Sequence, residues 1–241
     1  VSVAGDPDHP VNQGRLCPKG LSEHHTITAP GRLTTPWVDG EPASWGTALD
    51  RMVGTFQALI AEHGPESVAV LSTGQLVTEE FYALGKLVRL GMGLRHFDGN
   101  TTLCMASAVS GYKLSFGSDG PPGCYEDLEL ADVIVLWGAN IADNHPLLVP
   151  RVLANEAAEV IVVDPRVTKT VQIADEHLPV RPRTDVTLLN AILRILLDEA
   201  LIDPEAARPH LEGLDELLAH LRAVDLDAAA TECGIPLDHI R

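Results

Sequence analysis

The sequence predicts an α/β fold of mostly parallel sheets with flanking helices, Rossmann-like in arrangement, and three observations carry that expectation. Two short, near-continuous apolar runs, Val133–Trp137 and Val160–Val163, have the composition that strands buried on both faces of a parallel sheet require. Segments with apolar residues at helical spacing separate such runs, so strand and helix alternate. Each run also stops on turn chemistry, Gly138 after the first and Asp164-Pro165 after the second.

The elements follow in order. The first forty residues are rich in turn signals, among them Asp6-Pro7, Pro10, Pro18, Ala29-Pro30-Gly31 and Asp39-Gly40, and show little periodicity. From Ser44 the pattern becomes helical through Leu49, Met52, Val53, Phe56, Leu59 and Ile60, until Gly64-Pro65 stops it. Val68–Leu71 reads as a short buried strand. Thr78 is the expected cap of a second helix with Glu79 and Glu80 in its first turn, ended by Gly91. The small-residue stretch Cys104–Gly117 has helical character. After the strand 133–137 a helix is expected to enter through Asn144 with Pro146 in its first turn. Strands at 160–163 and near 178–180 precede an amphipathic helix that Asp185 opens, carrying Leu188, Leu189, Ile192, Leu193, Leu196 and Leu197. The last forty residues read as helical, with Leu214, Leu217, Leu218 and Leu221 on one face.

Composition narrows the function. With 45% hydrophobic residues the 241-residue chain can bury a core that offsets its ordering entropy. Lys+Arg 17 against Asp+Glu 34 gives a net charge of −17, which argues against a nucleic-acid footprint and against binding to an anionic membrane. No run has the length of a membrane helix. Four scattered cysteines do not make a disulfide scaffold, and no basic-then-apolar leader opens the chain, so a cytoplasmic location is expected.

In an open parallel sheet the ligand sits beyond the carboxyl ends of the strands. Those ends carry Gly138-Ala139-Asn140, Asp164-Pro165-Arg166 and Pro182-Arg183-Thr184-Asp185. A glycine there admits a phosphate close to backbone, and an acid at the next strand end can take ribose hydroxyls, so the layout suits a nucleotide. The same residues also serve as a strand-ending turn, a turn starter and a helix cap. No G-x-G-x-x-G follows any strand, which sets the chain apart from a plain dinucleotide dehydrogenase. Cys17, flanked by Gly14 and Gly20 and followed by Lys19, has no neighbouring cysteine with which to build a metal centre. Cys104 lies among Ala106, Ser107 and Ala108, which leave room for its sulfur to ligate a soft or redox-active metal.

Taken in order, these segments resemble the molybdopterin-guanine-dinucleotide oxidoreductases, most closely the bacterial assimilatory nitrate reductases. Val11–Gly20 is similar to the stretch that supplies the fourth cysteine of a four-iron, four-sulfur cluster, with Lys19 matching the lysine between cluster and pterin. Gly74-Gln75 with Thr78–Glu80 matches a pterin-side segment, and Leu103–Lys113 the loop whose cysteine ligates molybdenum. Cys124–Asp132, Gly138–Asn140 with His145-Pro146, Val162–Arg166 and Pro182–Asp185 correspond to the nucleotide-binding segments. Met105 after Cys104 favours nitrate over formate, since formate dehydrogenases usually place histidine there.

The resemblance implies a catalytic subunit that reduces nitrate to nitrite by oxygen-atom transfer, using bis-molybdopterin guanine dinucleotide with Mo and a 4Fe-4S cluster. Its donor would be ferredoxin, flavodoxin or an NAD(P)H-linked flavoprotein. Cys104 and Lys19 would be the catalytic residues and Cys17 and Cys104 the metal ligands. Lys19, Gln75, Asn100, Gly138, Asn140, His145, Asp164, Arg166, Pro182, Thr184 and Asp185 would contact the cofactor. Residues 1–40 would be a remnant of the iron–sulfur domain, 41–100 the first part of an α/β molybdopterin domain, and 101–241 an incomplete Rossmann-like nucleotide-binding domain. The alternatives are a formate dehydrogenase or other oxidoreductase on the same cofactor, a non-catalytic electron-transfer scaffold of this fold, and an ordinary nucleotide-binding α/β domain. Three departures stand out: the other cluster cysteines are missing from this fragment, Thr102 stands where nitrate reductases usually have arginine, and Arg183 where the family usually has glycine.

Overall fold

A computed structural model describes residues 2–241, which divide into a unit built on Ser22–Pro122 and another built on Ala4–Leu21 with Gly123–Arg241. The irregular opening stretch contains one short helix, α1 (Pro18–Ser22), followed by a 3-10 segment at Glu23–Thr28.

In the first unit a small hairpin, β1 (Trp37–Val38) with β2 (Glu41–Pro42), turns at Asp39-Gly40, where both residues have positive φ. Helix α2 (Trp45–His63) starts where expected, because the Ser44 hydroxyl accepts the Thr47 N–H at 3.1 Å and satisfies a donor that the first turn leaves unpaired. Gly64, at φ 80, ends it. Strand β3 (Ala69–Ser72) then pairs in parallel with β4 (His96–Gly99). The helix between them, α3 (Thr78–Lys86), corrects one expectation: Thr78 is its first residue and Val77 its cap. The Glu80 carboxylate reaches back to accept the Val77 N–H at 3.1 Å, which supplies the capping that a threonine hydroxyl would otherwise give. The chain then runs through a π-helical turn, Leu87–Gly91, whose Val88 packs with Val68 and Leu94 in the unit's core. After β4 the small-residue stretch forms two helices, α4 (Thr101–Cys104) and α5 (Ala106–Phe116), broken at Met105 and closed by Gly117 in the left-handed region.

In the second unit α6 (Asp127–Leu130) leads into β5 (Val133–Trp137). The helix expected through Asn144 is instead two short ones, α7 (Ile141–Asn144) and α8 (Val149–Ala154). Pro146 lies between them, and the proline that enters a first helical turn is Pro150, where its missing N–H costs nothing. Strands β6 (Glu159–Val163) and β7 (Glu176–Leu178) complete a parallel sheet of order β5-β6-β7, with Trp137 paired to Val163 and Val163 to Leu178. The third strand therefore starts and ends about two residues earlier than Leu178–Val180, because Asp175 Oδ2 accepts the Val160 N–H at 2.8 Å and draws the chain alongside β6 there. Helix α9 (Asp185–Asp198) follows, then α10 (Pro204–Ala207), α11 (Leu214–Arg222), α12 (Leu226–Cys233) and α13 (Leu237–Ile240).

Two apolar clusters flank β6. Ile134, Leu136, Ile141, Val152, Val160 and Val162 fill one side; Val163, Leu178, Val180, Leu188, Cys233 and Ile235 fill the other. Burial on both faces accounts for the unbroken run in β6, whereas β5 buries Ile134 and Leu136 on one face and leaves Val133 and Val135 half exposed on the other. Leu188, fully buried at 0% exposure, is the point where α9 meets the sheet. Leu188→Ala should cost about 2–5 kcal/mol in urea unfolding followed by Trp fluorescence; a loss below about 0.5 kcal/mol, the range of a surface change, would show that α9 does not seal this core.

Candidate functional site

The first unit presents its site at the carboxyl ends of β3 and β4. Asn100, just past β4, accepts the Gly74 N–H on its side-chain oxygen at 2.6 Å, while its own N–H donates to Ser72 O at 3.3 Å. A Cβ at Gly74 would stand 3.4 Å from that Asn100 oxygen, an ordinary contact, so the hydrogen bond and not the glycine holds the two loops together. Gln75 follows with its N–H on the Thr73 hydroxyl, and its side chain is exposed. Gln75 and Asn100 therefore sit in one clasped pair of loops. Thr102, in the place of an arginine, donates to Asp98 at 2.6 Å. That hydroxyl, with the Gly99 N–H, holds the Asp98 carboxyl below its ordinary value. Cys104 closes α4 and is exposed, with the helix break at Met105 immediately behind it. The thiol stands on a lip that the parallel strands position, open to a ligand.

In the second unit the three strand ends come together as the sheet register requires. Gly138, at φ 61, donates its N–H to Val163 O at 2.8 Å and turns the chain out of β5. Asp164 is buried and accepts the Arg166 N–H at 2.8 Å, while His177 bonds its carbonyl oxygen. Thr184 is buried too, its hydroxyl donating to Arg181 O at 2.8 Å. Asp185 accepts the Trp137 indole N–H at 2.8 Å, which ties the start of α9 to the end of β5. The exposed Pro182 and Arg183 make the turn between. Arg183 has φ 75, the left-handed region that favours glycine, which accounts physically for the glycine usual at that place. Asn140 spends its side chain inside the protein, as described below.

Cys17, Lys19 and His145 line a different feature, a cavity of about 270 Å³ that also takes in Asn12, Arg15, Tyr125 and Arg151. The loop that delivers Cys17 depends on Gly5, where a Cβ would lie 1.9 Å from Gly14 O. Cys17 stands at the start of α1, and the Gly20 N–H above all, helped by the Lys19 N–H and cation, holds its thiol below the ordinary cysteine range. Cys124 goes the other way: the Asp127 N–H favours its thiolate, but the Glu126 and Asp127 carboxylates and burial outweigh it and raise the thiol. Sequence reading missed Arg151, nine-tenths buried, 2.5 Å from Glu129 and stacked over Tyr125 at 5.5 Å. Its only signal was its place on an otherwise apolar helix, Val149–Ala154.

Among the described residues no three His, Cys, Asp or Glu converge as a complete metal site. Each cysteine fits as one donor of a larger set: Cys17 by a thiolate that backbone N–H groups favour, Cys104 by its open lip.

Residues 32–208 match the family model described as Molybdopterin oxidoreductase. The chain belongs to the molybdopterin oxidoreductases. Residues 1–28 of this oxidoreductase chain match the Molybdopterin oxidoreductase Fe4S4 domain. It is 44% identical to the "Assimilatory nitrate reductase" of Haloferax mediterranei over 99% of its own length and 34% of that protein. It is 40% identical to the "Nitrate reductase" of Klebsiella oxytoca over 28% of that protein, and 35% identical to the "Assimilatory nitrate reductase catalytic subunit" of Bacillus subtilis over 34%. The chain thus spans about a third or less of these relatives. Acetylene hydratase from Pelobacter acetylenicus shares the fold, with TM-score 0.74 and 24% identity over 97% of this chain and 33% of that one. No helix among the described residues is long and apolar enough to cross a membrane.

If the α1 start favours the Cys17 thiolate, iodoacetamide should label Cys17 at lower pH than Cys124, and the buried Cys233 last. Mass spectrometry of the labelled peptides checks this; Cys124 reacting first as pH rises would contradict the assignment.

Proposed function

We propose that the chain is the part of a molybdenum nitrate reductase that gives one thiolate to the metal, one to a 4Fe-4S cluster, and an edge that holds one guanine nucleotide of the cofactor. The observation that carries the reading is Cys104: an exposed thiol on a lip above parallel strands, followed by Met105, in a chain 44% identical over nearly its whole length to an assimilatory nitrate reductase. When bound, molybdenum on two molybdopterin guanine dinucleotides supplies the oxygen-atom and two-electron chemistry by which nitrate, two electrons and two protons become nitrite and water.

The chain's own residues bind and orient. Cys104 Sγ is the protein's donor to the metal, and the Asp98–Thr102 and Asn100–Gly74 hydrogen bonds hold its loop. Cys17 Sγ is one cluster ligand, and the Lys19 cation, lining the same cavity, favours the more negative, reduced state of what is bound there. Gly138 offers backbone to a phosphate, while Asp164, Arg166, Pro182, Thr184 and Asp185 line the rest of the nucleotide edge. Gln75 is assigned to the pterin side, and His145, which lines the cavity beside Cys17, to the nucleotide-binding segment that follows Gly138–Asn140. Electrons come from ferredoxin, flavodoxin or an NAD(P)H-linked flavoprotein in the cytoplasm.

The test is nitrite formation by the full-length parent protein, purified without oxygen and supplied with reduced viologen and nitrate. Nitrite at a rate that tracks molybdenum content is expected, and Cys104→Ala should abolish it while iron content stays. Molybdenum-loaded protein that makes no nitrite but reduces dye with formate would overturn the nitrate reading.

A further inference from the structure

One buried hydroxyl joins two of the loops at the second unit's sheet edge. Thr170 lies in the 3-10 turn Thr170–Ile173 beyond β6 and has no exposed surface. Its Oγ1 donates to Asn140 Oδ1 at 2.8 Å and accepts the Ala142 N–H at 3.1 Å. The other end of the Asn140 amide donates to Asp143 Oδ2 at 2.8 Å, and Lys169 Nζ sits 2.7 Å from Asp143 Oδ1. Both polar ends of Asn140 are therefore engaged within the protein. The loop after β5 is held to the loop after β6 through a side chain from the second of them.

We infer that Thr170 is the positioning residue of this edge: its hydroxyl fixes the Gly138–Asp143 loop relative to Asp164–Arg166, and so sets how well the two loops together hold a nucleotide. The inference rests on the nucleotide reading given above and adds to it a residue that touches no ligand. Asn140, in this account, acts through the clasp and not as a direct contact. Two features separate the hydroxyl's role from that of filler. Its partners lie 30 and 28 residues away in sequence, so the bonds close a long-range contact that packing on the 3-10 turn does not need. Removing it would also leave a partly buried N–H, that of Ala142, and a partly buried amide oxygen, that of Asn140, without this partner at once. The outer Lys169–Asp143 pair is more than two-fifths exposed at each end, and such pairs contribute little.

The experiment compares Thr170→Val, Thr170→Ser and Lys169→Ala in the full-length parent protein. It measures guanosine monophosphate released per protein on acid hydrolysis and hydrogen exchange of the Ala142 amide. Thr170→Val should lose about fivefold of its nucleotide and exchange Ala142 about fivefold faster, the factor that corresponds to an ordinary hydrogen bond of about 1 kcal/mol. Thr170→Ser and Lys169→Ala should stay near wild type in both. If Thr170→Val does not accumulate, Thr170→Ala against Thr170→Ser makes the same comparison. Retention of nucleotide by Thr170→Val, or equal loss by Thr170→Ser, would overturn the clasp while leaving the nucleotide reading standing. A wild-type protein that releases no guanine nucleotide would instead overturn that reading, and this inference with it.

Discussion

The parallel pairing of β5 with β6 is the constraint on which the second unit turns. Trp137 lies opposite Val163, and one further bond, from the Gly138 N–H to Val163 O at 2.8 Å, carries the ladder past the strand end before the chain leaves it. A slip of one residue would exchange the faces of Val160, Val162 and Val163, which are buried at 5%, 1% and 1% exposure in two separate clusters. Burial on this scale contributes roughly 1.5–3 kcal/mol per fully buried side chain, so the register is strongly specified. With register fixed, Gly138, Asp164 and the turn at Arg181–Asp185 have to emerge at one edge. The Trp137–Asp185 and Thr170–Asn140 hydrogen bonds then refine that edge.

The two cysteines assigned to metal centres are prepared by different means. Cys17 is prepared electrostatically, by the N–H groups at the start of a short helix and a neighbouring lysine. Cys104 is prepared geometrically, by a helix that ends on it and a loop clasped to β3 through Asn100 and Gly74. Cys124 and Cys233 have neither arrangement: one faces carboxylates, and the other is buried with its thiol bonded to Thr184 O at 3.6 Å. The backbone and charges around them thus set the four thiols apart, and the proposed metal roles follow that separation.

Periodicity made the long elements legible. Helix α2, strands β5 and β6 and helix α9 stand where apolar spacing put them, because each sets apolar side chains against a core, α2 through the partly buried Phe56 and Ile60 alone. The short elements were less legible, because hydrogen bonds that cross loops decide them. Val77 took the cap from Thr78 once Glu80 reached back, and the region after Gly138 broke into two short helices around Pro146. Most of the candidate site residues lie at strand ends that the pattern already marked. Arg151 and Thr170 escaped notice because their partners lie 22 to 30 residues away in sequence, where no local spacing rule reaches.

The central claim is that Cys104 is the protein's sulfur donor to the metal. X-ray absorption at the molybdenum edge, on the full-length parent and its Cys104→Ser variant at equal molybdenum loading, tests it most directly. The account predicts one sulfur neighbour fewer in the variant, replaced by a lighter atom. An unchanged sulfur shell would contradict it.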